Sequence, residues 1–220
     1  MNSGDFVYIN YVGRIKDSGE IFDLTREDVA KKENVFNQNF KYKPVPIIVD
    51  ADFILPGLNE ALKEMKVKEK RKVEIKPEKA FGERNPELVK LIPEAKFKEQ
   101  NIKPEVGSII VINGIKGRVI SISGGRVRVD FNHPLAGKTL EYELEIVKKI
   151  EDKKEKIEAI VFYFTSIEKE SIDVKLNEKE VEIEFKIKYN LTTEVKSLIA
   201  RTIKKWISGI EKIKFVDIFE

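Results

Sequence analysis

Apolar and polar positions alternate over most of the chain, which predicts a protein built mainly of strands. Residues 6–15 place Val7, Ile9 and Tyr11 on one face of a first strand. Residues 57–65 instead carry their apolar positions at helical spacing, so we predict a helix there. Further alternating runs predict strands at 46–49, 69–76 and 140–147.

Capping signals predict two further helices. Thr25 followed by Asp28 resembles a capping box, which predicts a short helix through about Lys32. Asn85 followed by Pro86 predicts a capped helix over the run ELVKLI.

Two glycine-containing dipeptides divide the run 106–131 into three predicted strands. Asn113-Gly114 and Gly124-Gly125 are both strong hairpin signals. Since the strand pattern of the first part resumes only at 140, the segment at about 85–132 is interpreted as an insert.

A polar stretch at 151–156 predicts a linker before a last unit at about 157–220. Thr192 or Thr193 caps a predicted amphipathic helix that ends near Ser208. The strand-like runs of this unit are 159–164, 172–176, 181–187 and 214–219. The order of these elements predicts a βββαβ unit.

Composition excludes several kinds of site. The 220 residues carry a net charge of only +3, with both signs interleaved, which is typical of solvated surfaces rather than of a polyanion-binding face. There is no cysteine, and His133 is the single histidine, so we expect no disulfide, metal centre or cofactor. No apolar run approaches the roughly 18 residues of a membrane span, and no leader pattern is present, so we expect a cytoplasmic protein.

Three segments together resemble the FK506-binding protein (FKBP) family of peptidyl-prolyl isomerases. They are YVG with GEIFD (11–23), FILPGLNEALKEM running into KRKVEIKPEKAFGE (53–83), and LEYELEIV (140–147). The insert after AFGE, closed by NHPLAGKTL, resembles the insert-in-flap domain of the SlyD-type branch. The remainder resembles the extension of the long archaeal-type members.

The resemblance implies an α+β fold with a half-wrapped antiparallel sheet and a short helix on its concave face. To this it adds a small, mostly β insert and a C-terminal α+β domain. The implied domains are an isomerase domain (1–84 and 133–150), an insert-in-flap chaperone domain (85–132), a linker (151–156) and a C-terminal domain (157–220).

The resemblance also implies an apolar pocket between helix and sheet. Catalytic positions that match the family pattern are Tyr11, Phe22, Asp23, Phe81 and Tyr142. Matching substrate-binding positions are Val45, Ile47, Ile54, Leu55 and Leu58. The best-known small members carry tryptophan where Leu58 stands and usually tyrosine where Phe81 stands, which lowers the expected affinity for macrolide inhibitors.

The implied activity is cis-trans isomerisation of Xaa-Pro bonds in folding polypeptides. No covalent bond breaks, so no nucleophile, base or metal is needed. The resemblance gives Phe22, Leu58, Phe81 and Tyr142 as pocket walls and the Leu55 N–H as an anchor for a substrate carbonyl. Asp23 and Tyr11 are expected to form a buried polar pair.

The insert is expected to bind unfolded chains. A unit of under fifty residues buries a limited fraction of its surface, so part of its apolar surface should be exposed and available to partners. The expected chaperone surface comprises Leu88, Leu91, Ile110, Ile112 and Ile122. The alternative is a self-contained small core.

Other interpretations of the sequence stay open. The C-terminal unit is expected to form a homodimer or add client surface, and the alternative is an independent domain. His133 is interpreted as a turn residue, the alternative being a residue at the pocket rim. The whole protein could instead be a catalytically weak holdase or adaptor. An RNA-associated function is less favoured, and no nucleic acid is expected, because the insert strands lack aromatic stacking residues.

Overall fold

The computed structural model describes residues 1–186 and 191–217, which form a mixed α+β protein with three sheets. The chain divides into two compact units. The first unit holds residues 1–75 and the described residues from 141 onward, and the second holds residues 76–140. Across the described ranges, no helix has the length and apolarity needed to cross a membrane.

The elements follow one another as strands interrupted by short helices. Up to residue 75 they are β1 (Phe6–Ile15), β2 (Ile21–Leu24), α1 (Glu27–Lys32), β3 (Val45–Ile48), α2 (Pro56–Glu64) and β4 (Lys70–Ile75). Next come β5 (Val89–Pro93), α3 (Glu94–Glu99), β6 (Ile109–Ile112), β7 (Ile115–Ser123) and β8 (Arg126–Asp130). The last are β9 (Leu140–Ile150), α4 (Lys153–Thr165), β10 (Ile172–Asn177), β11 (Glu180–Phe185), α5 (Thr193–Trp206) and β12 (Lys212–Asp217).

Strand β1 organises the five-stranded sheet of the first unit. Its second half pairs antiparallel with β2 and its first half with β3, while β9 lies on its other edge with β4 beyond. Phe6, Val7, Ile9 and Val12 point alternately to the two faces, and each is no more than 2% exposed. Both faces of β1 are therefore covered.

Helix α2 packs closely on strand β4. A Cβ atom at Gly57 would lie 2.4 Å from Cγ2 of Ile75, so only glycine allows this approach. Leu58 and Leu62 are buried on the same helix. The expected architecture of antiparallel sheets with a short helix is confirmed, and so are the predicted helix at 57–65 and strand at 69–76.

The second unit is a four-stranded antiparallel sheet with strand order β5-β8-β7-β6. The buried ring of Phe97 from α3 packs among inward-facing residues of this sheet. Both predicted hairpins are confirmed, with positive φ at all four turn residues. The predicted helix after Asn85 is wrong, because only Pro86–Leu88 form a 3₁₀ turn before the chain pairs with β8 as strand β5.

The predicted strand at 159–164 is wrong, because these residues lie in helix α4. The C-terminal order is thus αββαβ, and the helix begins at Lys153, inside the predicted linker 151–156. Helix α4 contacts β3 of the five-stranded sheet as well as α5 and β10. An apolar run buried on more than one side has no clear period, so it resembles a buried strand. The overlooked signal is Asp152, whose side chain caps the helix by accepting a hydrogen bond from the Glu155 N–H at 2.8 Å.

The three-stranded sheet confirms the rest of the C-terminal prediction. Strand β11 pairs antiparallel with β10 and parallel with β12, and α5 makes the crossover between the parallel pair. Thr192 is the N-cap of α5. The predicted strand positions 187, 218 and 219 lie outside the described residues.

One buried apolar cluster joins the C-terminal elements to the five-stranded sheet. Phe6 and Ile48 belong to it together with Ile157 and Ile160 of α4 and residues of the three-stranded sheet. Part of the apolar surface for which we expected a second copy or a client is therefore covered by this chain itself. Dimerisation stays a prediction.

This shared core predicts that the two halves of the first unit unfold together. Ile160 is 2% exposed, so Ile160→Ala should lower the free energy of unfolding by about 2–5 kcal/mol. Trp206, the single tryptophan, packs on Gly4 and so reports on both halves by fluorescence during urea unfolding. Leu176→Ala, at a position 38% exposed, is the matched control and should change stability by no more than about 0.5 kcal/mol. Equal effects of the two changes would contradict the shared core.

Candidate active site

Three aromatic rings meet on the first unit, one each from β1, β2 and β9. The Tyr142 ring lies 5.7 Å from that of Phe22 in an edge-to-face arrangement and 5.9 Å from that of Tyr11. Such geometry is favoured because the positive ring edge meets the negative ring face. Tyr142 is buried and the other two are half-buried, so the cluster has one open side.

Gly13 makes this cluster possible. A Cβ at this position would lie 2.7 Å from Cζ of Phe22 and 3.1 Å from Cε1 of Tyr142. Any larger residue would push the two rings away. The predicted motif contains Gly13, but this role was missed, although a glycine inside an alternating strand pattern could have signalled a close approach.

Asp23 and Tyr11 form the expected polar pair. The Tyr11 hydroxyl donates a hydrogen bond to Oδ2 of Asp23 at 2.7 Å. The expectation that the pair is buried is wrong for Asp23, which is exposed within β2. Because Asp23 lies opposite Gly13 in the strand register, its carboxylate stands at the rim of the aromatic cluster.

Burial and a neighbouring carboxylate keep both tyrosines protonated. Burial raises the pKa of Tyr11 far above that of a free tyrosine, and the charge and hydrogen bond of Asp23 raise it further. Burial likewise raises the pKa of Tyr142, again with a contribution from Asp23. Both hydroxyls are therefore neutral hydrogen-bond donors over the physiological pH range.

Thr25 fixes the position of Tyr11. The predicted capping box at Thr25 is wrong, since α1 begins after Arg26 without a side-chain cap. The Thr25 hydroxyl instead accepts a hydrogen bond from the Tyr11 N–H at 2.9 Å, and the Thr25 N–H donates to the Tyr11 carbonyl at the same distance. This buried threonine was assigned the wrong role, because its hydroxyl bonds to a strand rather than to a helix end.

The loop 51–55 carries two of the predicted substrate-binding residues. Ile54 and Leu55 are half-buried there, immediately before α2, and Leu58 is buried in the first turn of that helix. The carbonyl of Leu55 accepts hydrogen bonds from the N–H groups of Leu58 and Asn59. Within the described ranges, no group accepts a hydrogen bond from the Leu55 N–H.

Val45 and Ile47 lie on β3, opposite Ile9 and Val7 of β1. Val45 is half-buried, while Ile47 is 7% exposed. Ile47 also lines a small apolar cavity with Phe53 and Tyr163. The Ile47 side chain therefore packs mainly against other residues of this unit, and little of it is accessible.

Phe81 belongs to the second unit and stacks on His133. The two rings are 4.3 Å apart and tilted by only 5°. His133 also lies in a turn, where its Nδ1 accepts a hydrogen bond from the Leu135 N–H. The structure therefore places His133 in a turn, as favoured, and brings it onto a predicted pocket residue of its own unit.

The expected chaperone residues divide into two groups. Leu88, Leu91 and Ile122 are each at least 37% exposed. The prediction that Ile110 lies on the surface is wrong, because this residue is only 6% exposed and packs in the insert core. Ile112 is partly buried against the same core. Strand alternation explains this, since the neighbours Ile109 and Val111 point outward and are 63% and 50% exposed.

Comparison with known proteins identifies the family. The chain is 32% identical to a short-type peptidyl-prolyl cis-trans isomerase of Methanocaldococcus jannaschii over 146 residues, which are 66% of this chain and 92% of that protein. It is 35% identical to a probable FKBP-type 16 kDa peptidyl-prolyl cis-trans isomerase of Pseudomonas fluorescens over 59% of this chain and 89% of that protein. The chain belongs to the FKBP-type peptidyl-prolyl cis-trans isomerase family.

The comparisons also support the insert-bearing branch of this family that the sequence motifs indicated. Residues 90–135 match the model of the FKBP26 IF domain. A SlyD protein of Helicobacter pylori is 29% identical over 119 residues, which cover 52% of this chain and 63% of that protein. The expected enzyme class and the insert-bearing type of this FKBP chain are confirmed.

The raised pKa of Tyr11 predicts how stability depends on alkaline pH. A folded-state pKa above the unfolded value gives stability that is complete below about pH 10 and is lost as the pH rises through the folded pKa. Tyr11→Phe removes this titration, so the variant should lose stability between about pH 10 and 12 less steeply, by up to about 1.4 kcal/mol per pH unit. Urea unfolding of the parent and of Tyr11→Phe at a series of pH values measures how steeply each protein loses stability. Equal slopes would contradict a raised pKa of Tyr11 in the folded state.

Proposed function

We propose that the aromatic cluster and the loop 51–55 form the pocket in which this chain isomerises Xaa-Pro bonds of folding polypeptides. The observation that supports this most is the open cluster of Tyr11, Phe22 and Tyr142 with the carboxylate of Asp23 at its rim. All four are positions that the family pattern assigns to the pocket.

Such a pocket can catalyse without acid-base chemistry. Rotation about a peptide bond is opposed by amide resonance, with a barrier of about 18–20 kcal/mol. The twisted amide has lost this resonance and is less polar than the planar one, so an apolar site favours it relative to water. Since about 1.36 kcal/mol of differential binding gives a tenfold rate, a thousandfold acceleration needs about 4 kcal/mol.

The residues contribute to this in different ways. Phe22 and Tyr142 provide an apolar wall for the proline ring, and Leu58 provides the floor. The Leu55 N–H binds a substrate carbonyl, which is consistent with its lack of an acceptor among the described residues. Asp23 orients the Tyr11 hydroxyl and places negative charge near the twisted carbonyl carbon.

Smaller parts of the proposal rest on the resemblance alone. Val45, Ile47 and Ile54 border the substrate, with Ile47 acting through packing. Phe81 is assigned to the pocket wall by the resemblance, and this role stays a prediction. The absence of a phenolic hydroxyl at Phe81 removes one donor that related sites offer to the substrate.

Removing the Phe22 ring tests the pocket. Phe22→Ala deletes an apolar wall whose burial against substrate is worth about 1.5–3 kcal/mol, so kcat/KM for a short Xaa-Pro peptide should fall about 10- to 150-fold. The measurement is a peptide isomerisation assay followed by direct absorbance without a protease. Phe40→Ala, at a position 48% exposed, is the matched control and should leave kcat/KM unchanged. An unchanged rate in Phe22→Ala would place catalysis elsewhere.

We also propose that the insert holds unfolded chains. The outward face of its edge strand β6 presents Ile109 and Val111, and Leu91 is exposed on the opposite edge strand. Exposed apolar groups grouped on one small unit are typical of a binding surface. Holding a client raises the effective concentration of its prolyl bonds for the same molecule's pocket.

Polar substitutions on β6 separate holding from catalysis. The double variant Ile109→Ser/Val111→Ser should slow catalysed refolding of a proline-limited protein about tenfold, while leaving isomerisation of a short peptide unchanged. Val35→Ser, at a position 44% exposed in the first unit, is the matched control. Equal refolding rates in all three proteins would contradict the holding role. If refolding is never catalysed but aggregation is suppressed, the chain acts instead as a holdase.

A further inference from the structure

The C-terminal helix α4 reaches the loop that carries the substrate anchor. The Tyr163 hydroxyl donates a hydrogen bond to the Phe53 carbonyl at 3.2 Å. Its ring also lies on the Phe53 ring, with centroids 4.3 Å apart and an interplanar angle of 37°. Phe53 is two residues before Leu55, so the contact holds the backbone next to the anchoring N–H.

Other C-terminal side chains hold the same loop. The Phe164 ring meets that of Phe53 edge-to-face at 5.7 Å. On α5, Lys205 forms an ion pair with the loop residue Asp52 at 2.7 Å. Two consecutive loop residues are thus held by two C-terminal helices.

Tyr163 also lines a cavity together with a predicted substrate-binding residue. The small apolar cavity under the loop is lined by Phe53, Tyr163 and Ile47, and Ile47 is one of the predicted substrate-binding residues. Despite these contacts Tyr163 is 39% exposed, so it lies at the border of the site rather than in the core.

We propose that Tyr163 is a positioning residue of the isomerase site, which orients the Leu55 N–H by holding the carbonyl of Phe53. The proposal rests on the proposed function of the loop as the substrate anchor. The C-terminal domain is then part of the catalytic apparatus, because the loop has a second, external support. Without that hydrogen bond the Phe53–Leu55 backbone samples other orientations, and the substrate carbonyl loses its aligned donor.

Removal of one hydroxyl tests this. Tyr163→Phe keeps the ring on Phe53 and deletes only the hydrogen bond, so KM for a short Xaa-Pro peptide should rise about three- to tenfold with kcat within about twofold. Tyr8→Phe is the matched control, because it removes a hydroxyl from strand β1 of the same unit and keeps the hydrogen bond between Tyr163 and Phe53, and it should leave both constants unchanged. Both variants should retain the urea midpoint of the parent to within about 0.3 M.

A second readout follows the anchor directly. In ¹⁵N-labelled full-length protein, the amide resonance of Leu55 should shift when the peptide is added to the parent, and should shift less at the same saturation in Tyr163→Phe. An unchanged KM together with an unchanged Leu55 shift would overturn the positioning role. So would an equal loss in Tyr8→Phe, because the effect would then be general loosening of the unit.

Failure of this proposal differs from failure of the proposed function. If Phe22→Ala lowers kcat/KM and Tyr163→Phe does not, the pocket assignment is supported and the positioning role of Tyr163 is wrong. If neither variant changes kcat/KM and Leu55 does not respond to peptide, the pocket assignment and the positioning role are both wrong.

Discussion

Burial of strand β1 on both faces is the constraint on which the first unit depends. An antiparallel sheet commonly leaves one face to solvent, and its strands then show apolar residues on one side only. Here Val7 and Ile9 are buried on one face, and Phe6 and Val12 on the other. The face of β1 that carries Tyr11 and Gly13 holds the aromatic cluster, while Phe6 joins the core shared with α4. One face of β1 therefore carries residues of the proposed site, and the other face packs against the C-terminal elements.

This arrangement brings C-terminal residues into contact with the loop of the proposed site. In a catalyst without acid, base or metal, the rate depends on how well wall, rim and anchor hold their positions around the twisted amide. The rings of the proposed wall lie on the sheet, where Gly13 leaves room for them and Thr25 holds the Tyr11 backbone. The proposed anchor, the Leu55 N–H, lies in a loop, and loops are the less rigid part of such sites. Contacts from α4 and α5 add to the hydrogen bonds that the loop makes within the first unit.

Much of the fold could be predicted because local and global preferences agree. Alternation identified β1, and the Asn-Gly and Gly-Gly pairs identified the insert hairpins, since those turns require positive φ. Prediction failed where tertiary packing decided the structure. Residues 159–164 are apolar on several sides because α4 lies between β3 and its own domain, and this hides the helical period. The capping signal of Thr25 was equally misleading, because its hydroxyl accepts a hydrogen bond from Tyr11, fourteen residues earlier, and does not cap α1.

The site followed the same division. Tyr11, Phe22, Asp23 and Tyr142 were predicted together by the family pattern, and the structure brings them together. The contributions of Gly13 and Tyr163 were missed. Gly13 matters because two rings approach it closely, and Tyr163 because it contacts a segment far away in the sequence. The most direct measurement is an NMR titration of the full-length ¹⁵N-labelled chain with a short Xaa-Pro peptide. The proposed pocket predicts amide shifts concentrated at Tyr11, Phe22, Asp23, Leu55 and Tyr142. Shifts confined to other parts of the chain would contradict it.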